Sequence, residues 1–197
     1  MRSGRFKSRT QSATIVSMAE DRKHAESRSD GNGALVRSIE TRDSHEVTLL
    51  IEQLGYRRSH DEVAAWINGI SASSTTQAAF VACLGDEVVG WIEVSIQSHL
   101  QSAPFALIGG LVVKDGLRGK GIGKKLCETA EVWAYRRSVS VLRVTSRSTR
   151  ADAHHFYENI GYEPTKISHV FEKSLLVQQP CCSSPNSNTL QTPKGLG

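Results

Sequence analysis

A glycine-rich, basic turn in the middle of the chain has the residue types needed to hold a polyanion. An apolar stretch, residues 111–113, leads into the turn, and an amphipathic helical pattern follows it. The first amides of a helix lack intrahelical acceptors and carry a partial positive charge, and glycines let a phosphate approach them closely. The glycines are Gly119, Gly121 and Gly123, and the cations are Arg118, Lys120, Lys124 and Lys125. The turn is therefore predicted to bind a pyrophosphate or a similar group.

Two common phosphate-binding motifs do not fit this turn. A P-loop needs Gly, four further residues and then Gly-Lys-Ser/Thr, but Arg118 stands at the first glycine position and Lys125 at the hydroxyl position. The dinucleotide motif G-x-G-x-x-G fails because Lys124 occupies its third glycine position. The spacing therefore excludes these two modes of nucleotide binding.

The segment Arg118-Gly119-Lys120-Gly121-Ile122-Gly123 matches the signature Arg/Gln-x-x-Gly-x-Gly/Ala, and here the chain resembles the GNAT N-acetyltransferases. The resemblance implies that the turn holds the pyrophosphate of acetyl-CoA and that the preceding strand pairs with its pantetheine arm. It assigns acetyl-CoA binding to Leu111, Val112, Val113, Arg118, Gly119, Lys120, Gly121, Ile122, Gly123 and Lys124. The alternative reading is a glycine-rich connection with solvated lysines.

A second family pattern, an Ala, then Phe-Tyr, then Gly-Phe/Tyr, is present within residues 153–162. The resemblance assigns Tyr157 as the general acid that protonates the departing thiolate. A tyrosine hydroxyl, with a pKa of about 10, can donate to a sulfur whose thiol has a pKa of about 8.5. Ala153, Phe156 and Ile160 share a helical face with Tyr157, so a purely structural core tyrosine is the alternative.

Glu93 is the predicted general base or amine anchor. It is a charged residue within an otherwise apolar strand, where alternation puts it on one face with Trp91 and Ser95. A solvated face, or a pairing of Glu93 with an arginine, is the alternative. Many family members carry the base on the strand at residues 105–113, which has no acid here before Lys114, so the identity of the base stays open. His99 is a weaker candidate in the following loop.

Several other polar residues receive no catalytic role. His154 and His155 are adjacent in a predicted helix and face different directions, so no metal site is predicted. Arg57 and Arg58 lie where the family places acceptor contacts, and they would disfavour a strongly cationic acceptor; solvated loop charges are the alternative. The four cysteines lack the spacing of a zinc or redox site and fit a reducing compartment, so a cytoplasmic protein is predicted.

The elements that must position these residues follow from periodicity, caps and turn signals. Strands are predicted at residues 35–39, 78–84, 87–96, 105–114, 139–146 and 167–175, and helices at residues 43–54, 59–70, 121–137 and 151–160. Asp43 with Glu46 and Ser59 with Glu62 form predicted helix-capping pairs. This order predicts an α/β (α+β) GNAT fold with a mixed, mostly antiparallel central sheet flanked by about four helices.

The domain is predicted to span residues 34–176, between a disordered N-terminal extension, residues 1–33, and a flexible tail, residues 177–197. The formal charge of +4 is weak evidence for nucleic acid, and the longest apolar run, residues 103–113, is too short to span a bilayer. We predict no nucleic-acid or membrane partner, and family members often form homodimers.

The predicted activity is direct transfer of an acetyl group from acetyl-CoA to the amine of a small molecule, such as a metabolite or an aminoglycoside. A protein or peptide amine is the alternative acceptor. A non-catalytic module that binds acyl-CoA as a sensor is the alternative from another class.

Overall fold

The computed structural model describes residues 33–175, except for the side chains of residues 71–73. The predicted tails therefore lie outside the described residues, apart from Gly33. The chain divides into two units, Met1–Tyr162 and Glu163–Gly197. No helix in the described part of the chain is long and apolar enough to cross a membrane.

Among its described residues, 33–162, the first unit contains a five-stranded sheet and four α-helices. Strands β1 to β4 pair antiparallel in sequence order, and β5 pairs parallel to β4, so the predicted mixed, mostly antiparallel sheet is confirmed. The strands are β1 (Leu35–Ser38), β2 (Gln77–Leu84), β3 (Glu87–His99), β4 (Ser102–Val113) and β5 (Leu142–Val144), and the helices are α1 (Ser44–Gln53), α2 (His60–Ser73), α3 (Ile122–Tyr135) and α4 (Ala151–Asn159).

Apolar residues on the two faces of the sheet form separate cores. On one face, Ile92 and Val94 of β3 pack with Leu126 and Trp133 of α3. On the other face, Trp91 packs with residues of α1 and α2, including Ile67. Strand alternation sends neighbouring residues of β3 to opposite faces, and the sheet thereby separates α3 from the α1–α2 pair.

Of the two predicted helix caps, the cap of α2 forms and the cap of α1 does not. Ser59 accepts from the Glu62 amide (3.2 Å) and Glu62 accepts from the Ser59 amide (2.9 Å), so the predicted capping box of α2 is confirmed. Asp43 precedes α1 but its side chain makes no cap hydrogen bond there. Its carboxylate accepts instead from both terminal nitrogens of Arg37 (2.7 Å each) and from the Glu40 amide, because a bidentate guanidinium is a stronger partner than a helix amide.

The predicted strand at residues 167–175 is wrong, since no helix or strand forms in the described residues 163–175. An alternation of β-branched and aromatic residues indicates only a local preference for extended structure. A strand also needs a neighbouring strand to pair with, and the local sequence does not specify that partner. His99 was predicted to lie in the loop after the strand, but it is the last residue of β3. Its ring stacks on that of Phe105 at a centroid distance of 5.6 Å.

Candidate active site

The sheet opens along one edge of β4. Strand β5 pairs with Ala106, Leu107 and Ile108 of β4, and no other strand among residues 33–175 pairs with residues 109–113 on that side. The Lys114 amide donates to the Val89 carbonyl (2.8 Å), so the main-chain groups of Lys114 face β3. The side of the strand that these groups face alternates from one residue to the next. Main-chain groups of Leu111 and Val113 therefore face the open edge, whereas those of Val112 face β3.

The turn that follows this edge is shaped by glycines in the left-handed region. Gly116, Gly119 and Gly121 have φ values of 80°, 76° and 79°, which L-residues rarely adopt. A Cβ added to any of them would meet nothing within 4 Å, so the surface of the turn is open there. All three glycines let the chain reverse tightly, and Gly119 and Gly121 leave the amides next to the helix that follows accessible to a ligand.

Helix α3 begins at this turn with features that suit an anion. Its N-cap residue, Gly121, provides no side-chain cap, and the first turn contains no acidic residue. The leading amides, among them those of Ile122 and Gly123, lie within the first turn and therefore lack intrahelical acceptors. The positive end of the helix dipole is thus directed at the turn without a neutralising carboxylate in that first turn.

The cations predicted near the turn do not all lie there. Arg118 is exposed and pairs with Asp115 (2.9 Å), and Lys124 is exposed with Glu128 at 3.9 Å. Both are surface pairs of small energy, so a phosphate could compete for either cation. Lys125 donates to the Ala34 carbonyl (2.6 Å) and therefore braces the start of β1, which corrects its predicted place beside the phosphate.

A side chain from α1 clamps the junction between β4 and the turn. The Gln53 amide nitrogen donates to the Val113 carbonyl (2.9 Å), and the Asp115 amide donates to the Gln53 side-chain oxygen (2.9 Å). Gln53 is the last residue of α1 and directly precedes the loop, residues 54–59, that carries Arg57 and Arg58. The clamp therefore ties this loop mechanically to the predicted cofactor turn.

Gly123 allows the Phe-Tyr motif of α4 to pack against the glycine-rich motif at the start of α3. A Cβ at Gly123 would lie 3.1 Å from Cζ and 3.3 Å from Cε2 of Phe156, tighter than most real contacts. The missing side chain lets α4 dock against the first turn of α3, with Tyr157 next in sequence to Phe156. Gly123 thus serves packing between helices, while Gly119 and Gly121 serve the shape of the turn.

Tyr157 is half-buried and stays protonated over the physiological range. Its ring contacts those of Phe156 and Tyr162 at centroid distances of 5.1 Å and 5.6 Å. Burial, with a smaller effect from Cys127, raises the pKa of Tyr157 to about 12, while Arg150 lowers it. The hydroxyl is therefore a permanent donor at neutral pH. Burial also raises the pKa of the Cys127 thiol to about 12, which makes that cysteine a poor nucleophile.

Glu93 lies on β3 opposite Gly110, beside the point where β4 leaves β5. Its side chain is partly buried and forms no hydrogen bond or ion pair with the residues that the structure describes. Burial raises the pKa of Glu93, while the charge of Arg58 lowers it in part. The alternative of a direct arginine pair is thus not observed, and a half-buried carboxylate without a partner suits proton transfer or amine binding.

Other predicted residues have plain structural surroundings. His154 lies at 3.1 Å from the Arg147 carbonyl, and His155 is exposed with Glu158 at 3.8 Å. Within the described residues no cluster of three or more potential metal ligands occurs. Cys83 and Cys127 are free and buried.

Sequence reasoning did not single out Gln53, Gly109 or Gly110. The Gln53 clamp joins residues about sixty positions apart, and nothing in the local pattern signals it. The Gly109-Gly110 pair did carry a signal, because glycine inside a strand marks a bulge or a close approach. A register shift between Glu93 and Val94 lies opposite this pair.

Comparisons with known proteins agree with this geometry. Residues 42–162, more than half of the chain, match the family model of the acetyltransferase (GNAT) family. The aminoalkylphosphonate N-acetyltransferase of Salmonella typhimurium strain LT2 is 36% identical over 90 residues, which cover 45% of this chain and 57% of that relative. The match thus spans little more than half of the relative's length.

Solved structures share the fold at low sequence identity. The aminoglycoside acetyltransferase AAC(6')-Iy, in complex with a bisubstrate analogue, has a TM-score of 0.65 at 18% identity and covers 72% of this chain and 99% of its own. The 6'-N-acetyltransferase AAC(6')-IG of Acinetobacter haemolyticus has a TM-score of 0.62 at 17% identity, with coverage of 72% and 99%. The predicted fold is confirmed, and the chain belongs to the acetyltransferase (GNAT) family.

Proposed function

We propose that this acetyltransferase moves the acetyl group of acetyl-CoA directly to the amine of a small molecule. The observation that carries the proposal is the open edge of β4 continuing into the uncapped N-terminus of α3. Main-chain groups of Leu111 and Val113 can pair with the amides of a pantetheine arm, and the amides from Gly119 to Gly123 suit its pyrophosphate. Because Gln53 already occupies the Val113 carbonyl, we expect Leu111 to contribute most of the strand pairing.

Glu93 is the proposed base or amine anchor. An ammonium group must lose a proton before its nitrogen can attack the thioester carbonyl, and a carboxylate with a raised pKa accepts that proton near neutral pH more readily than an ordinary one. The partial burial of Glu93 also strengthens its attraction for a cationic amine.

Tyr157 is the proposed acid. The amine nitrogen forms a bond to the carbonyl carbon, and the bond between that carbon and sulfur then breaks with its electron pair on sulfur. As the amide forms, the nitrogen releases its second proton to solvent, and Glu93 passes the first proton to solvent. The Tyr157 hydroxyl donates a proton to the sulfur and takes one back from solvent, so one proton is released for each ammonium group acetylated. The high pKa of Tyr157 keeps the donor form available for each turnover. No covalent enzyme intermediate is needed, in keeping with the inert thiol of Cys127.

The acceptor is proposed to be a small amine. The relative in Salmonella acts by name on an aminoalkylphosphonate, and two of the structural neighbours act by name on aminoglycosides. Arg57 and Arg58 lie on the loop between α1 and α2, and Arg58 is close enough to act electrostatically on Glu93. These charges favour an acceptor with an anionic or neutral body, such as an aminoalkylphosphonate, over a polycation such as an aminoglycoside. The buried free thiols fit a reducing compartment such as the cytoplasm.

The test is a thiol-release assay with acetyl-CoA over matched acceptors, with product mass measured for each. The panel contains 2-aminoethylphosphonate, ethanolamine as its uncharged counterpart, an aminoglycoside, and short lysine peptides. Thiol release that depends on a small amine, with a product heavier by one acetyl group, supports the proposal. Release with peptides alone would select the protein-amine alternative. Binding of acetyl-CoA without acceptor-dependent release would select the sensor.

A further inference from the structure

The glycines of the described chain include two kinds. Gly116, Gly119 and Gly121 have positive φ values and open space around them, so the backbone requires glycine there. Gly109 and Gly110 in β4 have φ values outside the left-handed region, so the backbone would accept alanine at either position. Because glycine weakens a strand, its use here points to a need for space.

The space at each glycine is filled by a different side chain of β3. A Cβ at Gly109 would overlap the carboxylate oxygen of Glu93 and lie 3.1 Å from its Cδ. A Cβ at Gly110 would lie 2.5 Å from Cη2 and 3.0 Å from Cζ3 of Trp91. Both side chains therefore occupy space that a Cβ on β4 would otherwise fill.

A β-bulge puts Gly109 at the cleft. Glu93 pairs with Gly110 and Val94 pairs with Ile108, so Gly109 is the extra residue on β4. Ile108 is also the last residue of β4 that pairs with β5, and Gly109 is exposed. The carboxylate thus rests at the start of the open edge, where a thioester and an amine would meet in the proposed reaction.

We propose that Gly109 is a positioning residue for Glu93, because its missing side chain provides the space in which the carboxylate lies. Gly110 provides the corresponding space for the ring of Trp91. The catalytic part of this proposal rests on the proposed function of Glu93, whereas the seating of the carboxylate does not.

The two glycines differ in what an added methyl group would displace. The Glu93 carboxylate is the end of a flexible side chain and can rotate away, so Gly109→Ala moves the carboxylate and leaves the melting temperature within about two degrees of wild type. Trp91 is only 8% exposed and its ring is held by the core, so Gly110→Ala lowers the melting temperature clearly. This contrast separates positioning from stability.

The experiment is a double-mutant cycle on kcat with Gly109→Ala, Glu93→Ala and the pair together. Gly33→Ala is the control, because a Cβ there meets nothing within 4 Å and its φ is not positive. We expect Gly109→Ala to lower kcat at least tenfold with KM for acetyl-CoA changed less than twofold, and to have no further effect once Glu93 is alanine. Equal losses in both backgrounds would overturn the proposal, since the methyl group would then act on something other than Glu93.

A second measurement does not depend on activity. Carbon-13 NMR of glutamate-labelled protein, with Glu93 assigned through Glu93→Gln, reports the carboxyl pKa in wild type and in Gly109→Ala. A fall of that pKa toward the ordinary glutamate value supports the positioning of the carboxylate by Gly109, and an unchanged pKa overturns it. If the pKa falls while Glu93→Ala retains wild-type kcat, the positioning of the carboxylate by Gly109 is supported and the proposed role of Glu93 as a base fails.

Discussion

The Gln53 clamp gives the sharpest prediction about acetyl-CoA binding. Gln53→Ala removes hydrogen bonds of 2.9 Å to the Val113 carbonyl and from the Asp115 amide. Each such bond contributes about 0.5–1.5 kcal/mol, with the solvent-exposed one at the lower end, so the loss is about 1–2 kcal/mol. Without the clamp, the free energy needed to order the turn must come from acetyl-CoA binding. KM for acetyl-CoA then rises about 5- to 30-fold while kcat changes little.

The assay is initial-rate thiol release with acetyl-CoA varied at a saturating acceptor concentration. Glu52→Ala is the matched control, since Glu52 is the exposed neighbour of Gln53 on the same helix. Gln53→Glu keeps the acceptor for the Asp115 amide but places a carboxylate oxygen against the Val113 carbonyl oxygen, and because these two oxygens repel each other its effect should be at least as large. A KM for Gln53→Ala within twofold of the control would refute the idea that the clamp orders the turn.

Four further outcomes are expected. Tyr157→Phe lowers kcat by about 10²- to 10³-fold with nearly unchanged acetyl-CoA affinity, in stopped-flow and calorimetric measurements; unaltered turnover removes it as the acid. Burial raises the pKa of Glu93, so kcat falls as pH drops through a value above that of ordinary glutamate, and Glu93→Gln lacks this acid limb in a pH–rate profile. Gly123→Ala lowers the melting temperature, and adding Phe156→Leu restores part of it; additive losses contradict the packing role. Asp43→Asn costs about 2–3 kcal/mol in urea unfolding at pH 7 and less in acid, because the pKa of Asp43 is lowered in the fold and the stabilisation from its charge declines as the pH falls from the ordinary aspartate value through that lowered one; equal losses at neutral and acidic pH contradict this.

The glycine-rich turn before α3 could be predicted from sequence because its determinants are local. Alternating glycines after an apolar strand favour both the reversal and the exposed amides, and in the structure Gly119 and Gly121 adopt left-handed φ values. Helix α2 was equally readable, since its capping box lies within four residues. Short-range patterns of this kind need no knowledge of the rest of the fold.

The features that sequence reasoning missed depend on distant partners. Lys125 looked like a phosphate ligand, but its choice of the Ala34 carbonyl is decided by the docking of β1 near α3. Asp43 looked like a helix cap, but Arg37 approaches it from β1. The expected last strand has alternating residues and still forms no strand, because pairing is a tertiary event.

The most direct measurement is calorimetric titration of coenzyme A into wild type and a matched pair of glycine variants. Gly121 and Gly116 both have φ near 80° and open surroundings, and asparagine tolerates that conformation, so Gly121→Asn and Gly116→Asn add the same side chain at similar strain. Our account predicts one-site binding to wild type, at least tenfold weaker binding to Gly121→Asn and less than a twofold change for Gly116→Asn. No measurable binding to wild type, or equal effects of the two variants, would contradict the claim that the amides at the start of α3 hold the pyrophosphate.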